Sequence, residues 1–193
     1  RMVCNLALMR GNVGRPGAGI CPVRGHSNVQ GQRTVGISEK PELVPLDKLA
    51  AQYGFEPPRE KGLDTVGTVE GILDGSVEAF IGLGGNFSRA APDTGRLEPA
   101  WQGLALSLQI ATHLNRNHLL CGRETLLLPC LGRLEEDIQG GEAQRVSIED
   151  STTCIHASLG NSPPASPMLR SEPAIVAGLA QAILPPERAA CAP

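Results

Sequence analysis

The stretch Glu78-Ala79-Phe80-Ile81-Gly82-Leu83-Gly84-Gly85-Asn86-Phe87 decides how the rest of the chain is read. Its apolar run Ala79–Leu83, bounded by an acid and a glycine pair, predicts a short strand buried on both faces of a parallel sheet. Gly84 and Gly85 lack a Cβ, so the backbone beyond the strand can turn with φ > 0 and come close to a ligand. In open α/β sheets, ligands collect at that carboxyl end. A glycine-rich turn that only changes direction would be written the same way. The stretch is not Gly-x-Gly-x-x-Gly and no Gly-Lys-Ser/Thr follows it, so neither an NAD fingerprint nor a P-loop is supported.

Upstream of this strand, Val66, Val69, Ile72 and Leu73 recur at helical spacing between a cap at Asp64 or Thr65 and a stop at Gly75. Downstream, Pro92-Asp93-Thr94 predicts a turn, Leu97 to about Gly103 a helix, Leu106–Thr112 a second strand and Thr125–Leu128 a third. Leu119–Arg123 is left to supply a compact crossover helix. Val146–Glu149 and Cys154–Ala157 read as a hairpin. Ser171-Glu172-Pro173 caps a last helix through Ile183, with proline in its first turn. The alternation predicts an α/β fold, a Rossmann-like three-layer parallel sheet with helices on both faces. A long Gly/Pro-rich lead-in precedes it, and a small β hairpin lies near the C-terminus. The expected divisions are a helix end (Val3–Met9) with a loop over 1–37, a Pro-rich connector over 38–62 with one short helix at Leu46–Tyr53, the α/β lobe over 63–184, and a frayed tail from 185.

Composition excludes several classes. With 17 Lys and Arg against 20 Asp and Glu in 193 residues, the net charge of −3 offers no basic field, and no nucleic-acid partner is expected. No apolar run approaches the roughly 20 residues of a membrane span, and no signal-peptide core is visible, so a soluble, cytoplasmic location is expected. The six cysteines are scattered, with no Cys-x-x-Cys or Cys/His cluster, so no metal or iron–sulfur ligands are assigned and free, buried thiols are expected. Cys121, Cys130 and Cys154, in or beside predicted strands, are read as small core residues. Aromatics make up 3 % of the chain, so the core is expected to be filled by Leu, Ile, Val and Ala.

The segment from Arg10 to Gly36 carries too many glycines and amides for regular structure. Unless it is a loose loop, its polar groups must find partners in the protein or on a ligand. Asn28 and Gln30 can both donate and accept, and Arg24 carries a fork suited to carboxylate or phosphate. A second polar cluster, Thr112-His113-Leu114-Asn115-Arg116-Asn117-His118, follows the second strand. Arg24 could equally pair with an acid at the surface, and His26 and His118 could be ordinary hydrogen-bonded loop residues. His113 and His156 are read as structural.

Taken together, Gly11-Asn12-Val13-Gly14-Arg15-Pro16-Gly17, Arg24-Gly25-His26-Ser27-Asn28-Val29-Gln30-Gly31 and Gly84-Gly85-Asn86-Phe87 resemble the molybdopterin-dependent oxidoreductases of the dimethyl-sulfoxide-reductase superfamily. Leu114-Asn115-Arg116-Asn117-His118-Leu119, Leu128-Pro129-Cys130-Leu131-Gly132-Arg133 and Leu169-Arg170-Ser171-Glu172-Pro173-Ala174-Ile175-Val176 narrow the resemblance to formate-dehydrogenase-like alpha subunits. The six motifs stand in the same order nearly end to end.

The resemblance implies that the chain is a central portion of a subunit several times longer, which binds molybdenum or tungsten through two molybdopterin guanine dinucleotides. It implies cofactor contacts by Gly84, Gly85 and Asn86 at one dinucleotide, by Asn115, Arg116 and His118 at the guanosine, and by Asn28, Gln30 and Gly31 along the pterin. Arg24 and His26 would be catalytic, Arg24 facing a small anionic substrate and His26 standing where formate enzymes carry Gln. The wording around Asn115 departs from the family's commoner acidic pattern. The metal ligand and any iron–sulfur ligands are expected to lie outside this chain, which taken alone is expected to be inactive. The expected partners are a small-molecule substrate, the remaining domains of the parent subunit and an electron-transfer subunit. An excised lobe should also expose apolar surface and self-associate. The alternative is a stand-alone α/β domain that binds a mononucleotide or serves subunit interaction without catalysis.

Overall fold

The computed structural model describes residues 1–21, 28–29, 32, 37–38, 40–150 and 154–184. Arg24, His26, Gln30, Gly31 and the tail from 185 lie outside the described residues. The helices are α1 (Met2–Met9), α2 (Leu46–Tyr53), α3 (Thr65–Asp74), α4 (Phe87–Ala90), α5 (Thr94–Ala100) and α6 (Glu172–Ile183). The strands are β1 (Ala79–Leu83), β2 (Leu106–Ala111), β3 (Glu124–Pro129), β4 (Ile138–Gln139), β5 (Glu142–Ala143), β6 (Val146–Glu149) and β7 (Ile155–Ser158). Two compact units result, Arg1–Ile37 with Val146–Ser158 and Ser38–Arg145 with Leu159–Pro193.

In the smaller unit, α1 carries Met2, Val3, Leu6, Leu8 and Met9 well exposed. The expected hairpin is present as antiparallel β6–β7, with Glu149 paired to Ile155 at its inner end.

The larger unit is built on a parallel sheet in the order β1-β2-β3. Local signals set its helices as read. Asp64 caps α3 by accepting the Gly67 N–H at 2.9 Å, and Gly75 ends that helix at φ 82°. Ser171 caps α6 by accepting the Ala174 N–H at 3.4 Å. The helix expected from Leu97 starts earlier, at Thr94, because Asp93 takes the left-handed region at φ 57° and reverses the chain there. Acidic and amide side chains tolerate that region better than most. The last turn of that expected helix, Trp101–Gly103, is 3-10.

Register places the carboxyl ends of the three strands side by side, with Leu83 beside Ile110 and Ile110 beside Leu128. The Gly84 N–H donates to the Ile110 carbonyl at 2.7 Å and the Cys130 N–H to the Ala111 carbonyl at 3.2 Å, so the ladder runs on past the strands. One apolar cluster joins Val69 and Ile72 of α3, Leu97 of α5, Trp101 and Leu104 to Phe80 and Phe87. A second joins Leu108 and Ile110 of β2 and Cys130 to Ile175 and Leu179 of α6. Ser107 and Leu108 alternate along β2, so the two clusters lie on opposite faces of the sheet.

Four expectations change here. β1 is an edge strand rather than a doubly buried one, and Ile81 and Leu83 stand 58 % and 52 % exposed; the central, buried strand is β2. The core is aromatic at its centre despite the composition. Phe80 packs 4.7 Å from Trp101 and 5.1 Å from Phe87 between ring centroids, which gathers three of the chain's five aromatics in one place. The crossover after β2 is a 3-10 turn over Arg116–Leu119, not a helix over Leu119–Arg123, because Asn115 caps the chain three residues sooner. A short hairpin, β4–β5, was not expected; it turns at Gly140 and Gly141, both at positive φ.

The thiols divide differently from the expectation as well. Cys130 is buried, whereas Cys4, Cys21, Cys121 and Cys154 are exposed. Burial, and then the nearby Glu172 and Glu135 carboxylates, push the Cys130 thiol above its ordinary range, which keeps it protonated. Iodoacetamide on the native chain should therefore modify Cys121 and leave Cys130 untouched until the chain is denatured; peptide mass mapping reads both. Prompt alkylation of Cys130 in the folded chain would contradict its burial.

Candidate functional site

Three loops meet at the carboxyl rim of the sheet. The first is the glycine turn. Gly84 and Gly85 take φ 69° and 74°, and a Cβ on Gly85 would meet nothing within 4 Å, so the turn lies open. At these φ values any side chain would strain the backbone, which explains the glycine pair. Close approach explains Gly82 just before it, where a Cβ would lie 2.6 Å from Gln109 Oε1 and 2.9 Å from the Phe80 ring. Phe87 anchors the turn from beneath through its ring contacts with Phe80 and Trp101.

The second loop, Thr112–His118, follows β2 and is fastened to the first by successive side chains. The Asn115 amide nitrogen donates to the Gly85 carbonyl at 2.7 Å, and Asn117 Oδ1 accepts the Ser88 N–H at 2.9 Å. Between them, Arg116 grips Glu98 with Nε–Oε1 at 3.2 Å and Nη2–Oε2 at 2.9 Å, and Arg89 reaches the same carboxylate at 3.3 Å. Asn115 Oδ1 also accepts the Asn117 N–H, while His118 Nδ1 accepts the Asn115 N–H at 2.8 Å. With Nδ1 so engaged, the ring proton of the neutral imidazole sits on Nε2 and makes it a donor.

The third loop brings together two segments quoted separately above. Cys130 bridges Arg170, the Leu131 N–H donates to the Arg170 carbonyl at 2.9 Å, and a Cβ on Gly84 would lie 3.9 Å from Glu172 Oε1. A cleft of about 250 Å³ opens at the rim, lined by Thr112, His113, Leu114 and His118 from the β2 end and by Leu128 and Pro129 from β3. That volume suits one ring system rather than the roughly 300–1,000 Å³ of a complete small-molecule site. A larger hollow of about 580 Å³ lies along Pro41–Lys48 and Arg59, but its guanidinium is tied to Asp47 at 2.9 Å and to Glu56 at 2.8 Å. The rim is the better candidate, because the orphaned polar atoms are there. Among the described residues, the buried side-chain atoms without a hydrogen-bond partner are Asn86 Oδ1, at the end of this turn, and Ser88 Oγ, in the first turn of α4. Folded proteins leave very few such atoms, and their pairing at one corner marks it.

The structure thus brings together Gly84, Gly85, Asn86, Asn115, Arg116 and His118. Asn28 belongs to the other unit, where its Oδ1 accepts the Glu149 N–H at 3.3 Å. Sequence reasoning missed Asn117, Ser88 and Glu98. The Asn-x-Asn spacing at Asn115 and Asn117 was a usable sign of a loop clasp, whereas Glu98 stands 18 residues from Arg116 with no local signal. No group of three or more His, Cys, Asp or Glu suited to a metal occurs among the described residues, and no helix among them is long and apolar enough to cross a membrane.

The electrostatics of the rim make a pH prediction. The Arg116 bond, and after it the charges of Arg116 and Arg89, hold the Glu98 carboxyl below its usual value. N–H bonds from Gly132 and Ala165 do the same for Glu135, and the Gly67 N–H followed by Lys61 for Asp64. Each folded value lies below the unfolded one, so this stabilisation is complete above the ordinary carboxylate range, about pH 4, and is lost as pH falls through the lowered values. Urea midpoints should be flat near neutrality and drop below about pH 4. Glu98→Gln should make that drop shallower, and an unchanged acid slope in this variant would remove Glu98 from the account.

No family model matches the chain. It is similar to Protein YdeP of Escherichia coli (strain K12), at 51 % identity over 185 residues, covering 96 % of this chain and 24 % of that protein. It is similar to an uncharacterized oxidoreductase of Mycobacterium tuberculosis (strain H37Rv), at 48 % identity over 184 residues, covering 95 % of this chain and 24 % of that one. A putative formate dehydrogenase of Staphylococcus aureus (strain MRSA252) is 35 % identical over 86 residues, which is 40 % of this chain and 9 % of that protein. The chain therefore spans about a quarter of the length of the first two.

Proposed function

We propose that the chain is the part of an oxidoreductase that holds the guanosine end of a molybdopterin guanine dinucleotide at the carboxyl rim of β1 and β2. The protein that carries it would transfer two electrons to or from a small molecule, with formate as one candidate. The observation that carries this reading is the open turn Gly84-Gly85-Asn86, with the orphaned Asn86 Oδ1 on it and the orphaned Ser88 Oγ in the helix that follows. The names of the similar proteins, oxidoreductase and putative formate dehydrogenase, support the reaction class.

The residues present fit the group. Two positions without Cβ leave the main chain free to touch a sugar or phosphate, and Asn86 Oδ1 lacks a donor that a hydroxyl or ring N–H would supply. His118 Nε2 offers a donor at the cleft, whose size suits a base. The cofactor supplies the redox chemistry when bound, molybdenum or tungsten serving equally in this reading. The chain's own share is orientation, hydrogen bonding and exclusion of water. Arg24 and His26 remain the proposed substrate-facing pair, and Asn28, Gln30 and Gly31 the proposed pterin contacts.

The test is thermal. GDP at about a hundred times its dissociation constant should stabilise the chain by about 2.7 kcal/mol, a rise of roughly 5–10 °C in melting temperature, and ADP should do markedly less. Equal responses to both nucleotides would remove the guanine assignment. The exposed Ile81 and Leu83 on the β1 edge favour a second reading, a non-catalytic module that docks to other polypeptide through that strand. It gains if neither nucleotide shifts melting.

A further inference from the structure

Asn115 is expected to touch the cofactor, yet both polar atoms of its side chain already bond within the protein. Its nitrogen is on the Gly85 carbonyl and its oxygen on the Asn117 N–H, while the neighbouring Asn117 holds Ser88 on the far side of the same turn. We infer that Asn115 is a positioning residue: it holds the glycine turn in its open, positive-φ form and contacts no ligand itself. The inference rests on the reading that a ligand binds at this turn.

The physical argument concerns the carbonyl that joins the two most mobile links in the rim. Gly84 and Gly85 reach left-handed and right-handed backbone regions with similar ease, so nothing intrinsic to the pair favours the observed values. Phe87 anchors one end in the core and the Gly84 N–H anchors the other on β2. The peptide after Gly85 lies between these anchors and is free to rotate unless its carbonyl is held. The Asn115 amide holds it, from a loop that its own cap and the His118 ring have already made rigid. A preset turn spares the ligand the entropy of ordering it.

Asn115→Asp separates this role from a direct contact. Aspartate keeps the oxygen that accepts the Asn117 N–H and caps as well as asparagine, but it replaces the donor facing Gly85 with an acceptor. Asn115→Ser, which caps but is too short to reach Gly85, serves if the aspartate variant folds poorly. Without ligand, nitrogen-15 order parameters at Gly85 and Asn86 should fall from the rigid range, about 0.85, toward the flexible range, below about 0.6, while Leu108 and Ile110 stay rigid. GDP affinity, read by calorimetry, should fall about five- to tenfold, the worth of one hydrogen bond. Combining the change with Asn86→Ala should add little to the loss from Asn86→Ala alone, because both act through the same turn. Unchanged order parameters, or affinity losses that add in full, would overturn the positioning role. Wild-type chain that ignores GDP would reject the nucleotide reading instead, and the order parameters would still decide the clasp.

Discussion

Replacing Trp101 with alanine is expected to destabilise the larger unit by about 3–5 kcal/mol, enough to approach global unfolding in a domain of ordinary stability. The indole is fully buried, packs against Phe80 and Phe87, and donates from Nε1 to the Ser107 hydroxyl oxygen at 3.1 Å, which also accepts from Gln109 Nε2 at 3.2 Å. Removal opens a cavity beneath the glycine turn and strips one donor from a buried hydroxyl, two costs of the same sign. Leu126→Ala on β3 is the control, because that side chain is already 54 % exposed. Urea unfolding followed by far-ultraviolet circular dichroism gives both values. A loss below about 1 kcal/mol at Trp101 would mean that the aromatic cluster is not the centre of this core.

The second large effect is expected on ligand binding. Gly85→Val should abolish the GDP-induced melting shift. Nothing lies within 4 Å of the added Cβ, so the protein itself offers no clash, and the change acts in two ways. It imposes a positive-φ cost of about 1–2 kcal/mol on the free chain, and it places a branched side chain on the surface the ligand would touch. Gly54→Val is the matched control. Gly54 ends α2 at φ 66° with the same empty surroundings, so it should incur a similar backbone cost while leaving the nucleotide response intact. If both variants respond to GDP alike, the turn is a mere change of direction and the candidate site is wrong.

Features made within a few residues could be read from the chain alone. The Asp64 and Ser171 caps, the Gly75 stop, the α2 span and the turn at Gly84-Gly85 each depend on a side chain or a missing Cβ acting on backbone three or four residues away, so spacing reveals them. The three parallel strands were legible for a related reason, since short apolar runs between helix signals have few other ways to be buried.

Folding added what depends on partners far apart in sequence. Whether β1 is central or peripheral rests on which strands lie on either side of it, and the run Ala79–Leu83 is worded the same in both cases. The aromatic centre of the core joins Phe80, Phe87 and Trp101, which a 3 % composition could not place. At the rim, the residue types were anticipated and their partners within the protein were not. Asn115, Arg116 and Asn117 find Gly85, Glu98 and Ser88 across 18 to 30 residues of chain, and a polar side chain serves as a contact or a clasp according to which atom reaches it first. Local wording sets what a residue can bond to, and only the three-dimensional arrangement supplies the atom it does bond to.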